Sequence, residues 1–540
     1  MLDTHTLTEL DACASWLFSR RSARVAVQVP SEHLPLAPQL LASLAAALRA
    51  AGALPSPLLF IVGDTAFSPC CIDEVAAAHY GADAVVHVGA TCLSPTARLP
   101  AFHVLAPPGE GAWAHFNAAA CGAAIAAHVR EAEAADHHAL LVWDTEGAGL
   151  VGRALAATGA ALGADGGDGG GGGVDVAVVA WASPHPRLLV PFARRCFEGG
   201  AGGGTPEHEH EREHGVCGLR LPLEGLPAEL RAALRGRGNP VLRPLRVLHL
   251  GVRPARARAL LAACGACAGG VWRVDPSGGA PCASLDGGPH ARLLASRYRL
   301  VGLLKGAGAV GLVAGTLALE GRGALLDALR AALTRAGKSV HTLLVGKVTP
   351  AKLANFHGAC DVFVLVACPE ASLLDGEDAA AHAVPVATPH EAFVALEELA
   401  REAEEEGEEK EGGGAGEAGG GGAGAASPLA WDGSLHLAFH ALMGRVEGSR
   451  VAAGTARAKA AAAADAAADA GRTRVAAAAL VERQGGQLVA AAGGDAAARL
   501  QRREWRGLAY EAPRGDGGAA ASTAILKGRS GVASRYAHEL

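Results

Sequence analysis

Short runs that are apolar at nearly every position alternate along this chain with longer alanine- and leucine-rich stretches of helical period. The first group of runs is RVAVQVP, PLLFIVGD, ADAVVHVG and AFHVLA, with LAPQLLASLAAALRAAG and IDEVAAAHYG between them. The second is ALLVWD, VDVAVVAW and RVLHLG; the third is AVGLVAGTL, SVHTLLVG, CDVFVLVAC and VPVATP. Uninterrupted apolar runs suit strands covered on both faces, as in parallel sheets. The strand–helix–strand order predicts α/β units. The pattern therefore predicts an α/β chain of three small domains, each a parallel sheet flanked by helices, over residues 1–117, 118–275 and 276–400.

Other segments break the pattern. ADGGDGGGGGV and GGAGGGTPEHEHEREHG fall inside the second group, and REAEEEGEEKEGGGAGEAGGGGAGAAS follows the third. Such tracts bury too little apolar surface to offset ordering entropy. Residues 401–430 are thus expected to form a disordered linker, and 431–540 a C-terminal extension whose Trp, Leu, Ile and Tyr residues dock it in part.

Composition narrows the function classes. Of 540 residues, half are hydrophobic but only 4 % are aromatic, so Val, Leu and Ala must fill the core. A net charge of −6 argues against a broad nucleic-acid footprint. No run reaches the roughly 18 apolar residues a membrane span needs. The start, MLDTHTLTELDACASW, lacks the basic and apolar regions of a signal peptide. The expectation is a cytoplasmic protein whose 12 cysteines are reduced thiols.

Those thiols are the main candidate chemistry. Cys70 and Cys71 follow PLLFIVGD, and Cys368 follows DVFVLVA, so both places lie at strand ends, where ligands bind in open α/β sheets. Thiolates from separate domains meeting at one point suit a soft metal or an iron–sulfur cluster. Cys92, one strand after the pair, also begins a loop at a strand end. Cys13, Cys121 and Cys196 read as small core hydrophobes. Cys264 and Cys267 form a lone CGAC with only Cys282 nearby, short of the second ligand pair a structural zinc site needs. His208, His210 and His214 lie in a solvated low-complexity tract that could hold zinc only weakly. Gly315 and Thr316, ending the run GLVAGTL, form a tight turn whose backbone N–H groups could approach a carboxylate or phosphate. In VGKVTPAKLANF, Thr349 suits an N-cap and Pro350 the first helical position, which puts Lys352 and Asn355 on one face, solvated or ligand-facing.

VAVQVPSE, GDTAFSPCCIDEVAAAHYGADAVVHVGATCLSP, RYRLVGLLKGAGAVGLVAGTLAL, VGKVTPAKLANFHGACDVFVLVACPEASLL, VPVATPHEAFVAL and GLAYE…KGRSGVASRY occur in this order. Together they resemble the family of 2-(3-amino-3-carboxypropyl)histidine synthase subunit 2, the diphthamide biosynthesis protein 2 family. The resemblance implies three domains meeting around a 4Fe–4S cluster. It implies a heterodimer with synthase subunit 1 and a CSL-zinc-finger electron donor. The pair cleaves S-adenosylmethionine and moves a 3-amino-3-carboxypropyl group to a histidine of elongation factor 2. The family's first-domain ligand maps to Cys70, with Cys71 the alternative, and its third-domain ligand to Cys368. No middle-domain cysteine matches, because the flanks of Cys217 differ. Val88 and Ala90 stand where the family usually has Tyr and often His. The departures imply an iron–sulfur subunit that supports or reduces its catalytic partner. A cluster-free scaffold stabilising that partner, and a zinc protein using CGAC and the histidine tract, are the competing readings.

Overall fold

The structure is a computed structural model. It describes residues 4–163, 178–197, 213–231, 244–411, 427–452 and 481–490, apart from short stretches inside these spans. The chain divides into two compact units, residues 1–459 and 460–540. The described part of the second unit is one antiparallel hairpin, Val481–Gln484 with Gln487–Ala490.

Three main sheets organise the first unit. In the first, parallel strands β1 (Arg24–Gln28), β2 (Leu58–Val62), β3 (Ala84–Val88) and β4 (Ala101–Val104) lie in the order β2-β1-β3-β4. The short strand Cys196–Phe197 is added antiparallel beside β4. Helices α1 (Thr4–Ser19) and α2 (Ala37–Ala50) pack on one face through Leu10, Trp16, Leu40, Leu44 and Leu48. The short helix α3 (Glu74–His79) follows the cysteine pair, and Asp73 caps it by accepting from the N–H of Ala76.

The second sheet is built on the parallel strands β5 (His138–Trp143), β6 (Leu188–Leu189), β7 (Leu245–Leu250) and β8 (Val271–Val274), in the order β8-β7-β5-β6, with Ala283–Ser284 antiparallel at the β8 edge. The second group shows two features that its pattern did not predict. Of VDVAVVAW, the described residues include the strand Val178–Val179, which pairs antiparallel with Ala193–Arg194 in a separate ribbon. VWRV, whose middle Trp and Arg disguise its period, is an interior strand of the sheet. Helices α4 (Ala118–Ala134) and α5 (Ala148–Leu162) pack together, and Gly122 permits this, because a Cβ there would lie 2.6 Å from the backbone carbon of Ala157.

The third sheet is wholly parallel. Its strands β9 (Ala309–Ala314), β10 (Ser339–Leu343), β11 (Val362–Val366) and β12 (Val386–Ala387) run in the order β10-β9-β11-β12. Helices Gly288–Gly306, Arg322–Arg335 and Pro389–Glu411 flank it. The expected disordered linker is therefore corrected at its start: residues 401–411 continue the last of these helices. Glu402 and Glu404 of this tract, with Glu397 and Glu398 just before it, have cationic partners from elsewhere. Glu398 and Glu402 pair with Lys305, and Glu397 and Glu404 with Arg450 at 3.3 and 2.8 Å. The remainder of that linker to residue 426, the glycine-rich insert, and GLAYE…SRY lie outside the described residues. Among the described residues no helix is long and apolar enough to cross a membrane.

Candidate metal centre

Three loops at the carboxyl ends of strands bring four thiols together. After β2 the chain turns at Ser68–Cys71, closed by the Cys71 N–H donating to the Ser68 carbonyl at 3.0 Å. After β3 it passes through Thr91 and Cys92, whose N–H donates to the Cys70 carbonyl at 3.2 Å. After β11 it turns at Cys368, whose carbonyl accepts from the Ser372 N–H at 2.9 Å and hydroxyl at 2.8 Å. Cys70 and Cys368 Sγ lie 3.6 Å apart, and Cys71 and Cys92 Sγ 3.8 Å apart. All four sulfurs fall within 4.8 Å of one another. Among the described residues this is the one group of three or more metal-ligating side chains so close.

Gln28, at the end of β1, fixes the cysteine pair from beneath. Its Nε2 donates to the Cys71 carbonyl and its Oε1 accepts from the Asp73 N–H, both at 2.8 Å. His87 Nε2 bonds the Pro69 carbonyl at 3.1 Å, and burial lowers the basicity of this ring. Glu74 holds the loop beyond Cys92, accepting from the N–H groups of Ala97, Arg98 and Leu99 at 2.6–2.8 Å.

The crowded thiols do not titrate alike. Hydrogen bonding from Cys368, then from Cys70 and Cys71, holds Cys92 well below the ordinary thiol value. Cys368, beside Cys70, is pushed well above it. Four buried thiols with no carboxylate or imidazole among them are a soft donor set, suited to zinc, copper(I) or an iron–sulfur cluster. The residues present therefore fit the Cys₄ ligation of such a cluster.

The second sheet meets this centre with charges. Arg256, fully buried, donates to Glu370 Oε1 at 2.6 and 3.0 Å, to the Trp143 carbonyl at 2.5 Å and to the Thr91 carbonyl at 3.0 Å. One guanidinium thus joins loops from all three sheets: Thr91 precedes Cys92, and Glu370 lies two residues after Cys368. Arg253 adds a 2.7 Å pair to Glu370 and a 3.5 Å pair to Glu146. Asp144 bonds His249 at 2.9 Å and accepts from the N–H groups of Val252 and Arg253. Burial pushes the Asp144 carboxyl up, but His249 and Arg256 outweigh it and hold the group below its usual range. Burial leaves the carboxyls of Glu146 and Glu370 above theirs. Gly251 is required here, since a Cβ would sit 2.2 Å from Asp144 Oδ2.

The remaining candidates lie elsewhere. Cys217 is outside the thiol group and packs beside the second sheet's core, its thiol pushed up by burial. Cys264 and Cys267 are buried in that core, with Cys282 against it. His208 and His210 lie outside the described residues, and of His214 only its place in the strand Glu213–Val216 is described. At Gly315 a Cβ would come within 2.7 Å of Leu365 Cδ1, and Thr316 is fully buried. Thr349 caps Pro350–Ala354 as read, while Lys352 Nζ donates to the carbonyls of Val345 and Lys347, tying down its own loop. Sequence reasoning missed Gln28, Arg253, Arg256 and Glu370. Gln28 left a signal as the one polar residue inside VAVQVP.

Comparison with known proteins agrees with this geometry. The profile of the family described as "Putative diphthamide synthesis protein" matches residues 29–116 and 240–407, the spans that carry all four thiols. The chain is similar to 2-(3-amino-3-carboxypropyl)histidine synthase subunit 2 of Danio rerio, 25 % identical over 377 residues, 70 % of this chain and 64 % of the relative. It is 27 % identical to the Gibberella zeae protein of that name over 69 % of this chain and 58 % of the relative. The Bos taurus protein is 30 % identical, over 69 % and 65 %. The matches to these three thus span under two thirds of the relatives' length. A solved structure described as Dph2 from Pyrococcus horikoshii with 4Fe-4S cluster overlaps 73 % of this chain and 91 % of that one, at 16 % identity and a TM-score of 0.44, too loosely to carry an argument. Residues 29–116 and 240–407 thus match the family of diphthamide synthesis proteins, and the relatives to which the chain is similar agree in name.

Proposed function

We propose that this chain is the metal-holding subunit of a two-subunit transferase that moves a 3-amino-3-carboxypropyl group from S-adenosylmethionine to a histidine of elongation factor 2 in the cytoplasm. The observation that carries the reading is the approach of Cys70 to Cys368 at 3.6 Å, across 298 residues of sequence. Nothing in ordinary core packing requires two thiols from separate sheets to meet with two more beside them. Cys70, Cys71, Cys92 and Cys368 would hold a 4Fe–4S cluster. When bound, such a group supplies one-electron reduction, the chemistry that opens a sulfonium C–S bond.

This chain's own residues hold the site together. Gln28 and Asp73 fix the turn that carries the cysteine pair, Ser372 fixes Cys368, and Arg256 locks the Thr91 and Glu370 loops to the second sheet. The second sheet places no thiol in the group, and this supports a role beside a catalytic partner, synthase subunit 1, with a CSL-zinc-finger protein as reductant.

The test is anaerobic co-expression with subunit 1, followed by transfer to elongation factor 2 with S-adenosylmethionine and a reductant. Transfer by the pair and none by this chain alone is the expected result. Transfer by this chain alone would sink the supporting role. Isolation of a colourless, metal-free chain that still sustains its partner would favour the scaffold reading.

A further inference from the structure

We infer that Arg253 is the counter-charge that shields the thiol centre from the buried carboxylates of Glu370 and Glu146, and that it thereby sets how readily an iron–sulfur group held there accepts an electron. This rests on the metal-holding reading above and moves from the groups that hold the metal to a group that tunes it.

The carboxylates stand close to the thiols. Glu370 lies two residues after Cys368, and its side chain is 2 % exposed. When ionised it repels thiolates at both Cys70 and Cys92. The Glu146 side chain is 7 % exposed and joins the same network through Thr145. The Thr145 hydroxyl lies 3.3 Å from Glu146 Oε2 and 3.2 Å from the carbonyl of Thr91, the residue before Cys92. Charges buried this way are poorly screened, so both carboxylates oppose further negative charge on the thiol centre.

Two arginines could offset them, and they differ. Arg256 spends its donors on Glu370 Oε1 and on the carbonyls of Trp143 and Thr91, so it is committed to holding loops. Arg253 instead spans both carboxylates, with Nη2 2.7 Å from Glu370 Oε2 and Nε 3.5 Å from Glu146 Oε1. Its Nη1 is buried and has no hydrogen-bond partner among the described residues. A buried orphan donor on a cation calls for an explanation. A thiolate centre nearby supplies one: Cys70 attracts Arg253, and Arg253 acts on the ring of His87, which bonds the Pro69 carbonyl beside Cys70. One guanidinium thus interacts with both carboxylates and with the loop of the cysteine pair.

One-electron reduction brings one negative charge to the thiol centre from an external reductant, with no bond made or broken. The charge around an iron–sulfur group is among the determinants of its potential. With Arg253 present the carboxylates are offset. Without it Glu146 loses its cation and Glu370 keeps only Arg256.

The experiment uses the full chain purified anaerobically, with iron analysis first and then a dithionite titration followed by electron paramagnetic resonance. Arg253→Met is expected to keep its iron and to make reduction about tenfold less favourable, a midpoint about 59 mV lower for one electron. Arg253→Lys, which keeps the charge and loses the fork, is expected to recover most of that loss. A wild-type midpoint in Arg253→Met, or a midpoint in Arg253→Lys as low as in Arg253→Met, would overturn the inference while leaving the metal reading intact. If Arg253→Met loses its iron, Glu146→Gln takes its place in alkaline buffer, where the carboxyl of the wild type is ionised. Removing that carboxylate is expected to raise the midpoint, and an unchanged or lower midpoint would overturn the inference. A wild-type chain that takes up no iron would sink the metal-holding reading and this inference with it.

Discussion

The first and third sheets end in thiols, whereas the second ends in charges. At the thiol end four like groups face one another without a counter-charge among them. At the charged end each ion already has its complement, Arg256 and Arg253 against Glu370 and Arg253 against Glu146, while Asp144 is hydrogen-bonded by His249. Buried charges persist only when paired and hydrogen-bonded. Buried thiols carry no such requirement while protonated, and become metal ligands only as thiolates. The charged end is thus complete as it stands, whereas on the proposed reading a cation would complete the thiol end.

Substitutions separate the two ends. Cys368→Ala removes the only third-sheet member of the thiol group, and near-total loss of bound metal by elemental analysis is expected; retention of wild-type metal would break the contrast. Arg256→Met leaves Glu370 buried with one partner fewer, a change that costs about 3–5 kcal/mol when a buried pair is broken. Denaturant unfolding of the metal-free chain reads this directly, and a cost under about 1 kcal/mol would mean that the charged end is not a clamp. Adding Glu370→Leu to Arg256→Met should recover much of the loss, because an apolar pair can stand in for an ion pair. Gln28→Leu leaves the Asp73 N–H and the Cys71 carbonyl unpaired, and about 1–3 kcal/mol of stability is expected to go with them. Smallest of all, Cys264→Ala should leave metal content unchanged and cost about 1 kcal/mol, since this thiol only fills core space.

How much of this was legible in the sequence follows from range. The buried strands announce themselves locally, as in ADAVVHVG, and the strand-end position of Cys70 and Cys368 follows from those runs. The resemblance added the family. What stayed hidden depends on partners far along the chain. Cys92 stood out only as a further strand-end thiol, and it is β3 lying next to β1 that brings its loop over Cys70. Arg256 sits in PARARALLAAC with nothing nearby in sequence to mark it; its partners are 113, 114 and 165 residues away. The glutamates of REAEEEGEEKE read as linker for the same reason, since Arg450 and Lys305 lie far off in sequence. VWRV was lost differently: its period is too irregular to separate from the glycine-rich flanks.

The 298 residues between Cys70 and Cys368 also set a timetable. At the usual pace of translation, about 5–20 residues per second, Cys70, Cys71 and Cys92 leave the ribosome roughly 15–60 s ahead of Cys368. For that interval the nascent chain exposes three neighbouring thiols and lacks the fourth. On the proposed reading, a metal held by all four thiols reaches its full site only once Cys368 has emerged, with 172 residues still to be made.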